Sequence, residues 1–211
     1  MKRTAVFAAL LCVFITASAF ADEKLPNKVW RQDFRLGFRG TLIPVGGYTE
    51  TLNTIGPSYS FNDGFSVSFG LGLVFDSSVT QNIGLGVQSN FLFLYYQAEA
   101  QTKLWTVGPL IRFSVPIGKT EMYLKLSPGF ALGIMPDQLI AYNCTSPQPG
   151  WYIEAGVGII YWIAKTVGVY LEPTYQYAAI YGKVKPLGTY DLTYNSSSNL
   201  FLINLGMMFK I

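Results

Sequence analysis

Phe201-Leu202-Ile203-Asn204-Leu205-Gly206-Met207-Met208-Phe209-Lys210-Ile211 is the stretch on which the fold turns. Its odd positions, Phe201, Ile203, Leu205, Met207, Phe209 and Ile211, are all apolar, while its even positions include Asn204, Gly206 and Lys210. Side chains alternate across a β-strand, so this segment has one apolar face and one mixed face. A last strand of that kind, after an export signal, is what a transmembrane β-barrel needs to close its cylinder without an unpaired edge.

The export signal is at the other end. Met1-Lys2-Arg3 is a short basic start, Thr4 to Ser18 is an apolar core, and Ala19-Phe20-Ala21 supplies small residues at a cleavage site. Residues 1–21 therefore read as a secretory signal peptide and residues 22–32 as a periplasmic tail. An uncleaved anchor is the weaker alternative, because the run is marginal against the ~20 residues that a spanning helix needs. Cys12 lies inside the apolar run after Leu10-Leu11 and leaves with the signal.

Composition agrees with strands in a membrane. Without Lys2 and Arg3, 13 of the 15 basic residues remain against 12 acidic ones, so the mature chain is close to neutral and nucleic-acid binding is not expected. Charged residues make up 13% and aromatics 16% of the chain, whereas a soluble domain carries about 25% charged residues. After the signal no uncharged apolar run reaches ~18 residues, so membrane crossing falls to strands.

Eight segments alternate with period two, each about the length a tilted strand needs to cross the hydrocarbon. Their apolar faces include Phe34/Phe38/Leu42, Phe65/Val67/Phe69/Leu71/Leu73/Phe75, Leu85/Val87/Phe91 and Ile111/Phe113/Val115. Further along come Met122/Leu124/Leu126, Trp151/Ile153/Ile159/Tyr161, Val169/Leu171/Tyr175 and the last strand. The opposite parity carries Arg35, Arg39, Ser66, Ser68, Gln88, Asn90, Arg112, Lys125, Glu154, Glu172 and Gln176. Connections 44–64, 97–103, 135–150 and 178–198 read as long loops, and 76–82, 116–120 and 164–166 as tight turns. The expected architecture is thus all-β, an eight-stranded antiparallel up-and-down transmembrane barrel over residues 33–211. Both termini are expected in the periplasm and the long loops outside the cell, with aromatics such as Trp105, Trp151 and Tyr175 in interfacial girdles.

One hairpin can be registered from sequence. A two-residue turn at Gly118-Lys119 places Val115 against Met122, Phe113 against Leu124, Arg112 against Lys125 and Pro109 against Pro128. Arg112 beside Lys125 calls for a carboxylate, and Glu172 is the candidate, with Arg39 also near mid-strand. A charge cluster of Arg39, Arg112, Lys125 and Glu172 reads either as a salt-bridged plug in a small barrel or as an ion or anion path.

Pro109, Pro128 and Pro173 share outward parity, although proline breaks a strand's ladder. They are expected toward the extracellular strand ends. Either pairing loosens there above the hydrocarbon, or Pro109 facing Pro128 marks a wall that opens sideways. Gly70-Leu-Gly72, Gly84-Leu-Gly86 and Gly156-Val-Gly158 lack a third glycine and a following helix, so they are read as inward architecture and not as nucleotide fingerprints. With no histidine in the chain, the usual general base and the commonest metal ligand are missing. No enzyme activity, metal or cofactor is expected. Cys144, the one cysteine after the signal, sits among turn formers in an outer loop; it is either incidental or available for an intermolecular bridge or thiol chemistry.

On these features the chain resembles the eight-stranded bacterial outer-membrane proteins, the group containing the OmpA transmembrane domain, OmpX and OmpW. Asn204, Gly206, Phe209 and Ile211 look like the terminal signal read by the barrel assembly machinery, although Ile211 departs from the usual terminal Phe or Trp. The inward face also carries Val74, Leu92, Leu94, Leu104, Leu110, Ile160, Trp162, Leu200, Leu202 and Met208. That mixture is similar to OmpW-like barrels, which implies passage of small hydrophobic solutes with lateral exit. The alternative is a structural or surface-contact barrel that meets host molecules. A secreted lipocalin-like binder would need the charged face outside, which the sparse charge argues against. Outer-membrane lipid and the assembly machinery are the partners implied.

Overall fold

The computed structural model describes residues 33–53, 59–96, 100–134, 147–184 and 192–211. The expected signal peptide and periplasmic tail, and Cys144, lie outside them. The described chain is a closed antiparallel β-barrel. Its strands are β1 (Phe34–Asn53), β2 (Tyr59–Gly64), β3 (Ser68–Ser78), β4 (Ile83–Tyr96), β5 (Ala100–Ile117), β6 (Thr120–Ile134), β7 (Gln148–Trp162), β8 (Val167–Val184) and β9 (Leu192–Lys210). β1 pairs with β2 and β3, each strand from β3 to β8 pairs with the next, and β9 returns to β1, with Leu36 against Phe209 and Gly40 against Leu205. Closure leaves the last strand no free edge.

Nine segments make eight wall strands because β2 and β3 follow one another along β1. β2 pairs with Gly47–Leu52, and β3 pairs with Phe34–Ile43. Between them the alternation slips: Phe65 and Ser68 are buried, while Ser66 and Val67 are exposed. Phe65 therefore belongs to the interior and Ser66 to the outside, the reverse of the parity expected from sequence. The backbone stays bonded through the slip, with Phe65 N–H donating to Gly46 O at 2.9 Å and Ser66 N–H to Tyr95 O at 2.9 Å. Val115 also departs from its parity, being buried.

The expected loops are shorter than their polar composition suggested. β1 continues to Asn53, β5 begins at Ala100, β7 at Gln148, β8 runs to Val184 and β9 starts at Leu192. At the opposite end Asp76 lies inside β3, and the Gly118-Lys119 turn joins Ile117 to Thr120 as registered, with Gly118 at φ 64° as a primed turn requires. Both described chain ends lie at this turn end, where Ile211 N–H donates to Phe34 O at 2.9 Å and Lys210 pairs with Asp33 at 3.1 Å.

The outside of the wall is a belt of exposed apolar side chains, among them Phe38, Leu42, Leu71, Val87, Ile111, Phe113, Leu126, Ile153, Leu171 and Leu205. A water-soluble protein would bury such a belt, and a bilayer covers it. No helix among the described residues is long and apolar enough to cross a membrane. Trp151 donates to the Tyr181 hydroxyl at 3.1 Å and Tyr175 to Asn199 at 2.5 Å, giving outward aromatics near the loop end polar partners.

Inside, tyrosines lie on glycines of the next strand. Tyr123 opposes Gly158, Tyr152 opposes Gly129 and Tyr170 opposes Gly206. A β-carbon at Gly129 would stand 2.6 Å from Tyr152 Cε1, and one at Gly206 would stand 2.8 Å from Tyr170 Cε1. Each glycine thus makes the floor on which a ring packs, which spares a narrow barrel the crowding of two side chains.

Candidate functional site

The lumen is filled in three layers. Nearest the turns, Arg35 pairs with Glu121 at 2.7 Å, Arg112 with Asp76 at 2.6 Å and more loosely with Glu121 at 3.9 Å. Trp162 covers this layer, with the Arg35 guanidinium 5.6 Å from its ring centre. Two cations face two anions, so the layer is neutral.

The second layer lies one step toward the loops. Glu172 accepts from Lys125 Nζ at 2.5 Å, Arg39 Nη1 at 2.9 Å, the Tyr123 hydroxyl at 2.8 Å and Asn204 Nδ2 at 2.9 Å. Glu154 lies 2.6 Å from Lys125 Nζ and 3.5 Å from Arg39. Asn90 takes a hydrogen bond from Arg39, and Gln88 takes one from Lys125 at 3.1 Å. This layer too holds two cations and two anions, all buried.

The expected cluster is therefore split. Arg112 and Lys125 are cross-strand partners, as registered. Their side chains diverge, Arg112 toward Asp76 near the turns and Lys125 toward Glu154 and Glu172. Glu172 neutralises Arg39 and Lys125, not Arg112. Like charges separate because each finds an anion in the opposite direction, and the stagger of barrel strands decides which anion lies at which height. Sequence reading missed Asp76 because it was assigned to a turn, and Glu121 because it stands between the 116–120 turn and the first residue of the next apolar face, Met122. Their charge beside two unmatched arginines was the available signal.

The third layer, at the loop end, is apolar: Ile43, Phe65, Leu92, Leu94, Leu104, Ala131, Tyr152, Ile180, Leu200 and Leu202 pack together. Set among these layers are buried polar atoms with no protein partner, Thr106 Oγ1 and both side-chain heteroatoms of Gln148 and Gln176. No cluster of metal-ligating side chains occurs among the described residues.

The wall has a flaw where two prolines meet. The β5–β6 ladder runs from Ile117/Thr120 to Ile111/Leu126, stops, and resumes at Val107/Phe130. Pro109 and Pro128 lie in the interruption, outward, and remain registered only with their other neighbours, Val87 and Ile153. They sit near mid-strand, not toward the loop ends as expected, because the strands run well past the alternating segments. Pro173 accompanies a second break, in the β7–β8 ladder between Gly156/Thr174 and Ile159/Leu171. Proline has no N–H to give, which accounts for ladders failing beside it.

The four residues of the terminal pattern have separate places. Asn204 faces inward, bonded to Glu172 and accepting from Thr41 Oγ1 at 2.6 Å. Gly206 permits a close approach to the Phe38 carbonyl, Phe209 meets Phe38 edge-on at 6.2 Å, and Ile211 is exposed.

A closed eight-stranded antiparallel barrel with an apolar belt outside and ionic layers within has the architecture of the bacterial outer-membrane barrels. The solved outer membrane protein OprG of Pseudomonas aeruginosa is similar in fold, with TM-score 0.64 and 12% identity over 85% of this chain and 95% of that one. Neisserial surface protein A aligns with TM-score 0.50 and 14% identity over 86% of this chain and all of its own. Escherichia coli outer membrane protein W gives TM-score 0.45 and 13% identity over 87% and 100% of the two chains. Neither protein-family models nor curated sequences match the chain.

Proposed function

We propose that this chain is an outer-membrane barrel that passes small hydrophobic solutes from the loop end into the bilayer, sideways between β5 and β6. The observation that carries this reading is the coincidence of a broken β5–β6 ladder with a lumen closed below it by two neutral ionic layers. Straight passage would have to break buried ion pairs, whereas sideways exit crosses a wall already short of hydrogen bonds. The fold likeness to outer membrane proteins supports placement in that membrane, with the turn end periplasmic. Assembly machinery engaging Asn204, Gly206, Phe209 and Ile211, and lipid around the apolar belt, complete the partners.

Pro109→Val with Pro128→Val returns two N–H donors to the wall. The double variant, folded, should take up small apolar solutes several-fold more slowly into reconstituted vesicles at unchanged ion conductance. Unchanged uptake would reject the lateral route. That result would favour the second reading, a structural or surface-contact barrel, to which the side-chain packing of the loop-end lumen also belongs.

A further inference from the structure

The stretch of wall that lost its ladder is covered from inside by a single ring. Gly108 and Gly129 meet there so closely that a β-carbon at Gly108 would stand 2.8 Å from Gly129 Cα, and one at Gly129 would stand 2.6 Å from Gly108 Cα. Tyr152 lies over both: the Gly108 position is 2.8 Å from its hydroxyl and the Gly129 position 2.6 Å from its Cε1. Its hydroxyl is 2.9 Å from Ser127 Oγ, and Ser127 Oγ donates to the Pro109 carbonyl at 2.7 Å. The phenol is thus tied to the interrupted stretch by a chain of neutral hydrogen bonds that ends on one of its two prolines.

The second ladder break has the same parts but a different lock. Tyr123 lies on Gly158 beside the Pro173 break, and its hydroxyl donates to the buried Glu172 carboxylate at 2.8 Å. A charge-assisted bond is about twice as strong as a neutral one, and this one sits inside the ionic layer. Tyr152 instead belongs to the apolar layer and is held by a hydroxyl. On the neighbouring strands are buried polar atoms without a protein partner. Thr106 is the inward residue of β5 before Gly108, and Gln176 lies across from Glu154 on β8. Buried polar groups without partners are costly, so a guest that supplies one gains from meeting them.

We propose that Tyr152 is a movable shutter over the β5–β6 gap, and that the site it vacates takes a small uncharged phenol: a flat apolar ring on the Gly108–Gly129 floor with one hydroxyl at Ser127. This rests on the lateral route proposed above and names the solute class that the route admits. The ring-sized floor selects shape, Ser127 Oγ selects a hydrogen-bonding head, and the neutral ionic layers offer no net charge to a charged one. The molecule that fits is the side chain that has to leave.

The test is deuterium exchange at the amides of Gly108, Leu110, Ser127 and Gly129, which flank the two prolines, in the mature chain in lipid nanodiscs, for wild type, Tyr152→Ala and Tyr152→Phe. Removing the ring should speed exchange by about tenfold or more, and removing only the hydroxyl by about five-fold, the value of one neutral hydrogen bond. Added p-cresol should slow exchange in Tyr152→Ala back toward wild type, and toluene, which lacks the hydroxyl, should do so less. Wild-type exchange in both variants, or no protection by p-cresol, would overturn the shutter. If Tyr152→Ala fails to fold, Tyr152→Phe decides alone. Uptake of p-cresol by vesicles separates the two proposals: fast exchange with unchanged uptake supports the shutter and rejects the route, whereas unaltered exchange with uptake blocked by the proline replacements rejects the shutter and leaves the route.

Discussion

Glu172→Gln should be the most damaging single-charge change in the barrel. The carboxylate is buried and accepts from Lys125, Arg39, Tyr123 and Asn204, so it serves two of the cations in a layer that balances two against two. Glutamine keeps the shape and one acceptor oxygen but leaves Arg39 and Lys125 facing Glu154 alone, with an amide N–H₂ among donors. Breaking one member of a buried pair costs about 3–5 kcal/mol. The retained oxygen and the neighbouring Gln88 and Asn90 moderate that to about 3 kcal/mol here. Lys125→Met added to Glu172→Gln leaves Arg39 with Glu154 and restores neutrality, so the pair should show a coupling of about 2 kcal/mol in a double-mutant cycle. The assay is urea unfolding in lipid vesicles, followed by tryptophan fluorescence and by the mobility difference between unheated and boiled samples. A loss below about 1 kcal/mol together with additive mutants would refute the reasoning, because an uncompensated buried cation cannot be cheap.

Arg112→Gln, by contrast, should couple to Asp76 and not to Glu172, and a cycle with Glu172→Gln giving a coupling above about 1 kcal/mol would contradict the two-layer arrangement. Gly158→Ala places a β-carbon against the Tyr123 ring, 2.7 Å from Cε1, and should lower urea stability by about 2 kcal/mol, whereas Gly118→Ala meets no atom and should cost only the ~1 kcal/mol of a positive φ. Cys144 should react with a membrane-impermeant maleimide on intact cells, and labelling only after lysis would reverse the proposed orientation.

Which side chains face the lipid was legible from residues alone, because strand alternation is local: Phe38, Leu71, Ile111, Ile153 and Leu205 are outside and Arg39, Gln88, Lys125, Glu154 and Glu172 inside, as their parity required. The β5–β6 register was equally local, set by a two-residue turn whose Gly118 takes the positive φ. Three things depended on the closed barrel. Pairing of Arg112 with Asp76, and of Lys125 with Glu154 and Glu172, follows from strand stagger, which brings together residues 29 to 47 positions apart. Phe65 turned inward because a slip between β2 and β3 shifts parity; Asn62-Asp63-Gly64 just before it are turn formers, but they do not say by how many residues the alternation slips. The ends of β1, β8 and β9 ran past the alternating segments because strands that leave the bilayer no longer need an apolar outer face, so the periodicity that marks a spanning strand ends before the hydrogen-bonded ladder does. Sequence thus determined the class of wall and its two faces, and the closed tertiary structure decided which charges meet, where the wall is weak and which ring covers the weakness.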